Sequence, residues 1–404
     1  MHYKKVAIGL ALCLSIWVTS CAAYIPSEPT SDSESASNSF SSEETSDKSF
    51  PILTSVTDAN LKTIVGSSSE SGFYEIKSVQ AEHYIYYTDY SSQQQVILCP
   101  IPNCQHNDSS CPGFLPSDSV DYAGIFVCGN KLVLSSSAPS HQIPVALYSM
   151  DLDGSNKKLL HQFSASETPQ DPVLFDGQAI YYVLSKVTYA TDGKSPTYSS
   201  SLYKLDLLSG KNDEVLLLSS QDSIIGTVGG NIVLKSIISN QYNLYVVSPD
   251  GKKKLLDFTW STNYPYYVTD NEIYIMSDDL DIQCYNYLDK EVSTIFLPDE
   301  LHSAKGITFD GFWDEKLFFI VFESDNSIKE IAVDVTSNEA KDISLCGLDS
   351  SGQRKRPICI AAEFADSFLV ETGTIDDSQS QRALISKDDF WAGNPNYNYI
   401  KNDF

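Results

Sequence analysis

Beyond residue 70, apolar and polar residues alternate in short runs that end at polar turns. "YIYYTDYSSQQQVILCP" from 84, "KLVLSSSAPSHQIPVALYSMDLDGSNKKLL" from 131 and "AIYYVLSKVTYATDGKSPTYSSSLYKLDLLSGKNDEVLLL" from 179 can be aligned with one another. "NIVLKSIISNQYNLYVVSPDGKKKLL" from 231 and "EIYIMSDDLDIQCYNYLDKEVSTIFL" from 272 extend the series, and weaker copies begin at 316 and 367. Each copy has an alternating apolar stretch, a polar turn, a stretch resembling Leu-Tyr-x-x-Asp, a Gly or Asn turn and another apolar stretch. A further short run, such as "YAGIFVCG" or "PVLF", usually precedes the unit. A period of two residues predicts half-buried strands, and no amphipathic helix of useful length is predicted.

The matched positions recur roughly every 40–55 residues, the period of four-stranded propeller blades. Asp153-Gly154, Ser209-Gly210 and Asp250-Gly251 suit hairpin turns, because glycine accepts the positive φ that such turns need. A single sheet cannot bury both its faces, whereas sheets stacked face to face in a closed ring can. The expected fold is therefore an all-β propeller with seven four-stranded blades. Six or eight are the alternatives, since the first and last copies are the least regular. A multi-sheet sandwich would fit the alternation but not the regular period.

The first 50 residues read differently. Lys4 and Lys5 precede an apolar stretch over 6–17, which ends in Val18-Thr19-Ser20-Cys21. A basic start, a short apolar segment and small residues before a cut site describe a secretory signal over 1–20. The stretch is shorter than the ~18–20 residues that span a bilayer. Aliphatic-small-small-Cys resembles a bacterial lipobox, which implies diacylation of Cys21 and attachment to membrane lipid. Residues 27–49 contain ten Ser and six Asp or Glu among 23 positions. Such composition cannot offset the entropy of ordering, so 21–50 is expected to be a disordered tether before a propeller over 51–404.

Charge narrows the partners. Without residues 1–20 the chain carries 25 Lys and Arg against 53 Asp and Glu. That surface repels nucleic acid, which needs basic patches to replace its counterions. It also repels an anionic bilayer, leaving the anchoring to the lipid.

One short run concentrates candidate chemistry: "LCPIPNCQHNDSSCPGFL" over 98–115. In the repeat frame it falls where blade one turns from its third strand to its fourth. Pro100, Pro102 and Pro112 restrict its backbone before anything binds. Cys99, Cys104, His106 and Cys111 offer three thiols and an imidazole, the donor set of a closed structural zinc site. The Cys-x-His gap is not a standard finger spacing. An exported protein also meets oxidising surroundings, so one disulfide plus a spare thiol fits equally well, as does a reduced loop without a ligand. Cys346 and Cys359 flank one polar loop and form a second disulfide candidate. Cys128 and Cys284 lie in strand-like runs and are expected in the core.

"IYYTDY" (85–90) and "LYSMDLDGSNKKLL" (147–160) resemble the Tyr-Trp-Thr-Asp propeller repeat of lipoprotein-receptor-type domains, with Tyr87 in the Trp position. The Cys-His run behind a lipobox and a Ser-rich tether is similar to a family of uncharacterised propeller lipoproteins of Gram-positive bacteria. That resemblance covers roughly 70–404 and implies an exported propeller on the outer face of the cell membrane, without an established activity.

Catalytic signatures are lacking. There is no Gly-x-Ser-x-Gly and no His-Glu-x-x-His, and Gly193-Lys194-Ser195 lacks the earlier glycine of a phosphate loop, having Thr188 in its place. Asp278-Asp279, Asp376-Asp377, Asp151 and Asp153 read as solvated turn residues. Arg354-Lys355-Arg356 is a basic run in an expected loop. Trp260, Tyr264, Tyr266 and Tyr267 are candidates for stacking on a glycan, with strand core as the alternative. The expected function is recognition of a protein or glycan ligand outside the cell. An enzyme acting on a wall or dietary polymer at the channel mouth is the second expectation, and a metal- or redox-responsive loop the third.

Overall fold

A computed structural model describes residues 53–55, 66–79, 82–116, 121–137, 145–189, 195–269, 271–286, 289–325, 327–348, 355–372 and 381–402. The lipobox Cys21, the tether, Arg354 and Asp376-Asp377 lie outside them. The chain forms a seven-bladed β-propeller, each blade a four-stranded antiparallel sheet in sequence order. The inner strands of the seven blades are Gly66–Ser68, Asp121–Cys128, Glu167–Phe175, Asp222–Val228, Tyr266–Val268, Gly306–Trp313 and Cys359–Phe364.

Antiparallel order sorts the connections. Turns joining strands one to two and three to four share one face of the disc. Turns joining two to three share the other face with the connections that lead into the next blade. Alternation along each strand supplies opposite interfaces. In the second strand of blade four, Ile232 and Leu234 join the core shared with blade three, while Val233 joins the core shared with blade five. Burying a large apolar side chain contributes roughly 1.5–3 kcal/mol, so the stacked interfaces carry most of the stability.

The repeated Asp has a local task. At the end of third strands, Asp89 accepts from the Ser92 amide at 2.7 Å, Asp206 from the Ser209 amide at 2.7 Å, and Asp334 from the Ser337 amide at 2.9 Å. Each carboxylate thereby closes the turn into the fourth strand. The glycine of the next turn position works between blades. A Cβ on Gly154 would lie 3.2 Å from the Leu98 carbonyl oxygen, on Gly210 3.0 Å from that of Leu160, and on Gly251 2.8 Å from that of Val215. Each of these turns packs against the outer strand of the preceding blade, and all three glycines have positive φ.

Ring closure uses two devices. Lys401–Asn402 pairs in parallel with Gln94 and Gln95, outside the fourth strand of blade one. Between blades seven and one, Arg382 Nη2 meets Glu75 Oε2 at 2.7 Å, with side chains only 9% and 4% exposed. Glu75 Oε1 also accepts from Gln95 Nε2 at 2.8 Å, and Lys77 Nζ lies 3.2 Å from it.

Thr54–Ser55 and Lys387–Ala392 are among the short segments that depart from the repeat. Thr54–Ser55 pairs with Phe175 and Leu174 on the inner strand of blade three, toward the channel, and the preceding Leu53 is 1% exposed. A single α-helix among the described residues, Lys387–Ala392, links the last two strands of blade seven. The Ser386 hydroxyl caps it by accepting from the Asp389 amide, and Gly393 ends it in the left-handed conformation.

Candidate metal centre

The Cys-His run does not lie between strands three and four of blade one, as its place in the repeat suggested. It interrupts the fourth strand. Gln94–Ile97 pairs with one half of the third strand, Glu82–Asp89, and Phe114–Leu115 pairs with Tyr84 and His83 in its other half. Ile85 holds both ends of the excursion. Its carbonyl accepts from the Leu98 amide at 2.8 Å, and its own amide donates to the Gly113 carbonyl at 2.8 Å. A Cβ at Gly113 would stand 2.5 Å from the Leu98 carbonyl oxygen, so only glycine lets the two ends approach. The strand thus leaves and rejoins its ladder at one residue.

Inside the loop the backbone turns tightly. Asn103 and His106 have φ of 58° and 53°. The Cys104 amide donates to the Ile101 carbonyl at 3.3 Å and the Cys111 amide to that of Asp108 at 3.1 Å. Asp108 accepts from the Ser110 amide at 2.8 Å. These turns point four donors inward: the ligand atoms of Cys99, Cys104, His106 and Cys111 all lie within 4.8 Å of one another. A tetrahedron with metal–sulfur bonds of ~2.3 Å has sulfur–sulfur edges of about 3.8 Å, so only a small contraction separates the cluster from coordination.

The donors differ electrostatically. Burial pushes the Cys111 thiol up to about 12, helped by its hydrogen bond with Cys99. The Cys104 thiol is lowered, chiefly by a backbone hydrogen bond from His106. His106 Nδ1 lies 3.1 Å from Cys111 Sγ. Lys157, from the turn between strands three and four of blade two, is close enough to feel the charge of Cys111, while burial lowers its own proton affinity. Three thiolates around a divalent ion carry one net negative charge, which such an ammonium complements. The cluster could therefore hold a metal ion. Lys157 has no sequence signal beyond its place after the Asp-Gly turn.

The other candidates are dispersed. Cys346 begins a two-stranded hairpin, Cys346–Leu348 with Lys355–Pro357, and Cys359 begins blade seven. Cys128 and Cys284 are buried thiols, as expected, and burial raises both. Trp260, Tyr264 and Tyr266 share the interface between blades four and five. Tyr267 enters the interface between blades five and six, so the four rings do not form one patch.

No protein-family profile matches the chain, and no curated protein does either. Solved structures match the fold. One from a study of two prolyl endopeptidases has 11% identity and a TM-score of 0.56, covering 87% of this chain and 50% of that one. The acylaminoacyl peptidase of Pyrococcus horikoshii has 14% identity and a TM-score of 0.50, over 84% of this chain and 52% of its own. The propeller domain of the Trilobed protease of Pyrococcus furiosus, described as having an open velcro topology, has 15% identity and a TM-score of 0.50, over 87% of this chain and 98% of its own. This chain spans about half the length of the two peptidases. These likenesses show the β-propeller fold.

Proposed function

We propose that the protein is a lipid-anchored, extracytoplasmic binding module, held through Cys21 and its acidic tether on the outer face of a Gram-positive membrane. The observation that carries the binding reading is the strand Thr54–Ser55 on the channel side of blade three. The protein's own chain occupies an inner edge that a channel-mouth enzyme would leave to substrate. Thr54 pairs with Phe175, the last residue of an inner strand, so Thr54 lies toward the face bearing the one-to-two turns. Zinc at Cys99, Cys104, His106 and Cys111 staples the loop on the rim, since thiol-rich tetrahedral donor sets favour it.

Fractionation tests the anchor: wild type should sediment with membranes and Cys21→Ser should be released. A mutant found wholly with the membrane contradicts the anchor. For recognition, the purified chain is assayed against wall polysaccharides for both binding and turnover. Binding without turnover is expected, and turnover of the bound polymer would return the protein to the enzymes. Elemental analysis should find one zinc per chain, lost in Cys104→Ser and Cys111→Ser; a metal-free wild type with fewer than three titratable thiols in the loop rejects the staple.

A further inference from the structure

Lys235 stands where the second strand of blade four should carry an apolar residue. It shares a strand face with Val233, which is wholly buried against blade five. Its ammonium donates to the Tyr266 hydroxyl at 2.8 Å. It also lies 4.6 Å from the centre of the Tyr242 ring and 4.8 Å from that of Tyr266. Trp260 completes a triangle, with ring centres 5.2 Å from Tyr242 and 5.6 Å from Tyr266.

The group has donors and lacks an acceptor. No carboxylate reaches Lys235 among the described residues, and burial lowers its proton affinity with no acidic neighbour opposing it. Other lysines in this acidic chain do find one. Lys204 pairs with Asp176 at 3.0 Å, Lys253 with Asp222 at 2.9 Å and Lys387 with Glu363 at 2.6 Å. Trp260 is 4% exposed, yet its Nε1 has no hydrogen-bond partner. A buried N–H left unsatisfied costs ~1–3 kcal/mol, which a bound acceptor would recover. The hydroxyl of Tyr266, already accepting from Lys235, has its own proton to donate.

Three of its four side chains are open to solvent, whereas Trp260 Nε1 is buried. Lys235, Tyr242 and Tyr266 are only partly buried. Lys235 approaches the turn between strands two and three, and Tyr266 starts an inner strand. Both therefore lie toward the face that bears the two-to-three turns.

We propose that Lys235, Tyr266 and Trp260 form a binding site for a carboxylate-bearing ligand, whose oxygens take the Lys235 ammonium and the two ring donors while its ring or carbon skeleton packs on Tyr242. This names a ligand class for the binding module and rests on that reading. Glucuronate is the probe, with glucose as the uncharged control, titrated calorimetrically into the full chain. Trp260 emission is followed in parallel and assigned with Trp260→Phe. Glucuronate should bind at least tenfold more tightly than glucose. Lys235→Met should lose that preference while melting at or above the wild-type temperature, because it removes an unpaired buried charge. Lys235→Arg should retain part of the preference, and Tyr266→Phe should weaken binding severalfold. Equal affinity for both sugars, no binding of glucuronate, or an unchanged preference in Lys235→Met overturns the site. If polymer binding survives in a Lys235→Met chain that has lost glucuronate, the carboxylate site stands and a second surface binds the polymer. If wild type ignores glucuronate but still binds polymer, only the site fails.

Discussion

The inter-blade glycines allow conformational and steric costs to be separated. Gly251 has φ of +84°, and a Cβ there would stand 2.8 Å from the Val215 carbonyl oxygen and 3.3 Å from Val215 Cγ1. Gly177, in the first turn of blade three, has φ of +92° and nothing within 4 Å of the same atom. Alanine at either position must take up a left-handed backbone, which costs roughly 1–2 kcal/mol. At Gly251 it must also push blade four away from a backbone carbonyl of blade three, and overpacking of that kind adds ~1–3 kcal/mol. Gly177→Ala should therefore lose about 1–2 kcal/mol and Gly251→Ala about 2–5 kcal/mol. Urea midpoints, compared at matched m-values, provide the measurement. Equal shifts in the two variants would refute the reasoning, because the turn glycine would then serve its own hairpin and not the seam.

Arg382→Ala leaves Glu75 buried beside a weaker set of partners, and breaking such a pair costs ~3–5 kcal/mol. The same assay on the more exposed Lys131–Asp151 pair should read a much smaller loss. A similar small loss in both would mean that the Glu75 cluster does not hold the last seam. Asp89 is lowered to about 2, first by the Ser91 hydroxyl and then by the Ser92 amide. Its folded value lies below the unfolded one of ~3.9, so its contribution is full above that pH and fades as pH falls toward 2. The stability gap between wild type and Asp89→Asn should accordingly narrow from pH 5 to pH 2; a constant gap would discount the carboxylate's charge. Chelation should raise proteolysis within 99–111 and leave the blades intact, as mapped by mass spectrometry of early fragments.

The blades were legible because alternation and the repeated turn residues follow directly from packing. The helix Lys387–Ala392 was not foreseen: Ser386 and Gly393 cap it, but its span is too short for periodicity to reveal. Tyr266 and Tyr267 are successive residues of one strand, so alternation by itself sends them to opposite interfaces. The Cys-His donors could be read from residue types. Their position within the fourth strand could not, because it depends on both ends returning to Ile85, a contact between distant residues. Thr54–Ser55 and Lys401–Asn402 are two residues long and show no pattern. Lys235 was hidden for the opposite reason: a single lysine in an apolar strand gives no hint of which carboxylates fail to reach it.

The parallel pairing of Lys401–Asn402 with Gln94–Gln95 ties distant residues of the chain, the later of them made well after the first six blades, to the root of the loop that carries the thiols. A chain synthesised from its N-terminus completes the strands of blade one long before this latch arrives. Until then the outer edge of that blade is open to neighbours, and its cysteines emerge without their finished surroundings. Synthesis thus leaves the periphery of the first blade to whatever chaperone, oxidant or metal reaches it before the seventh is made.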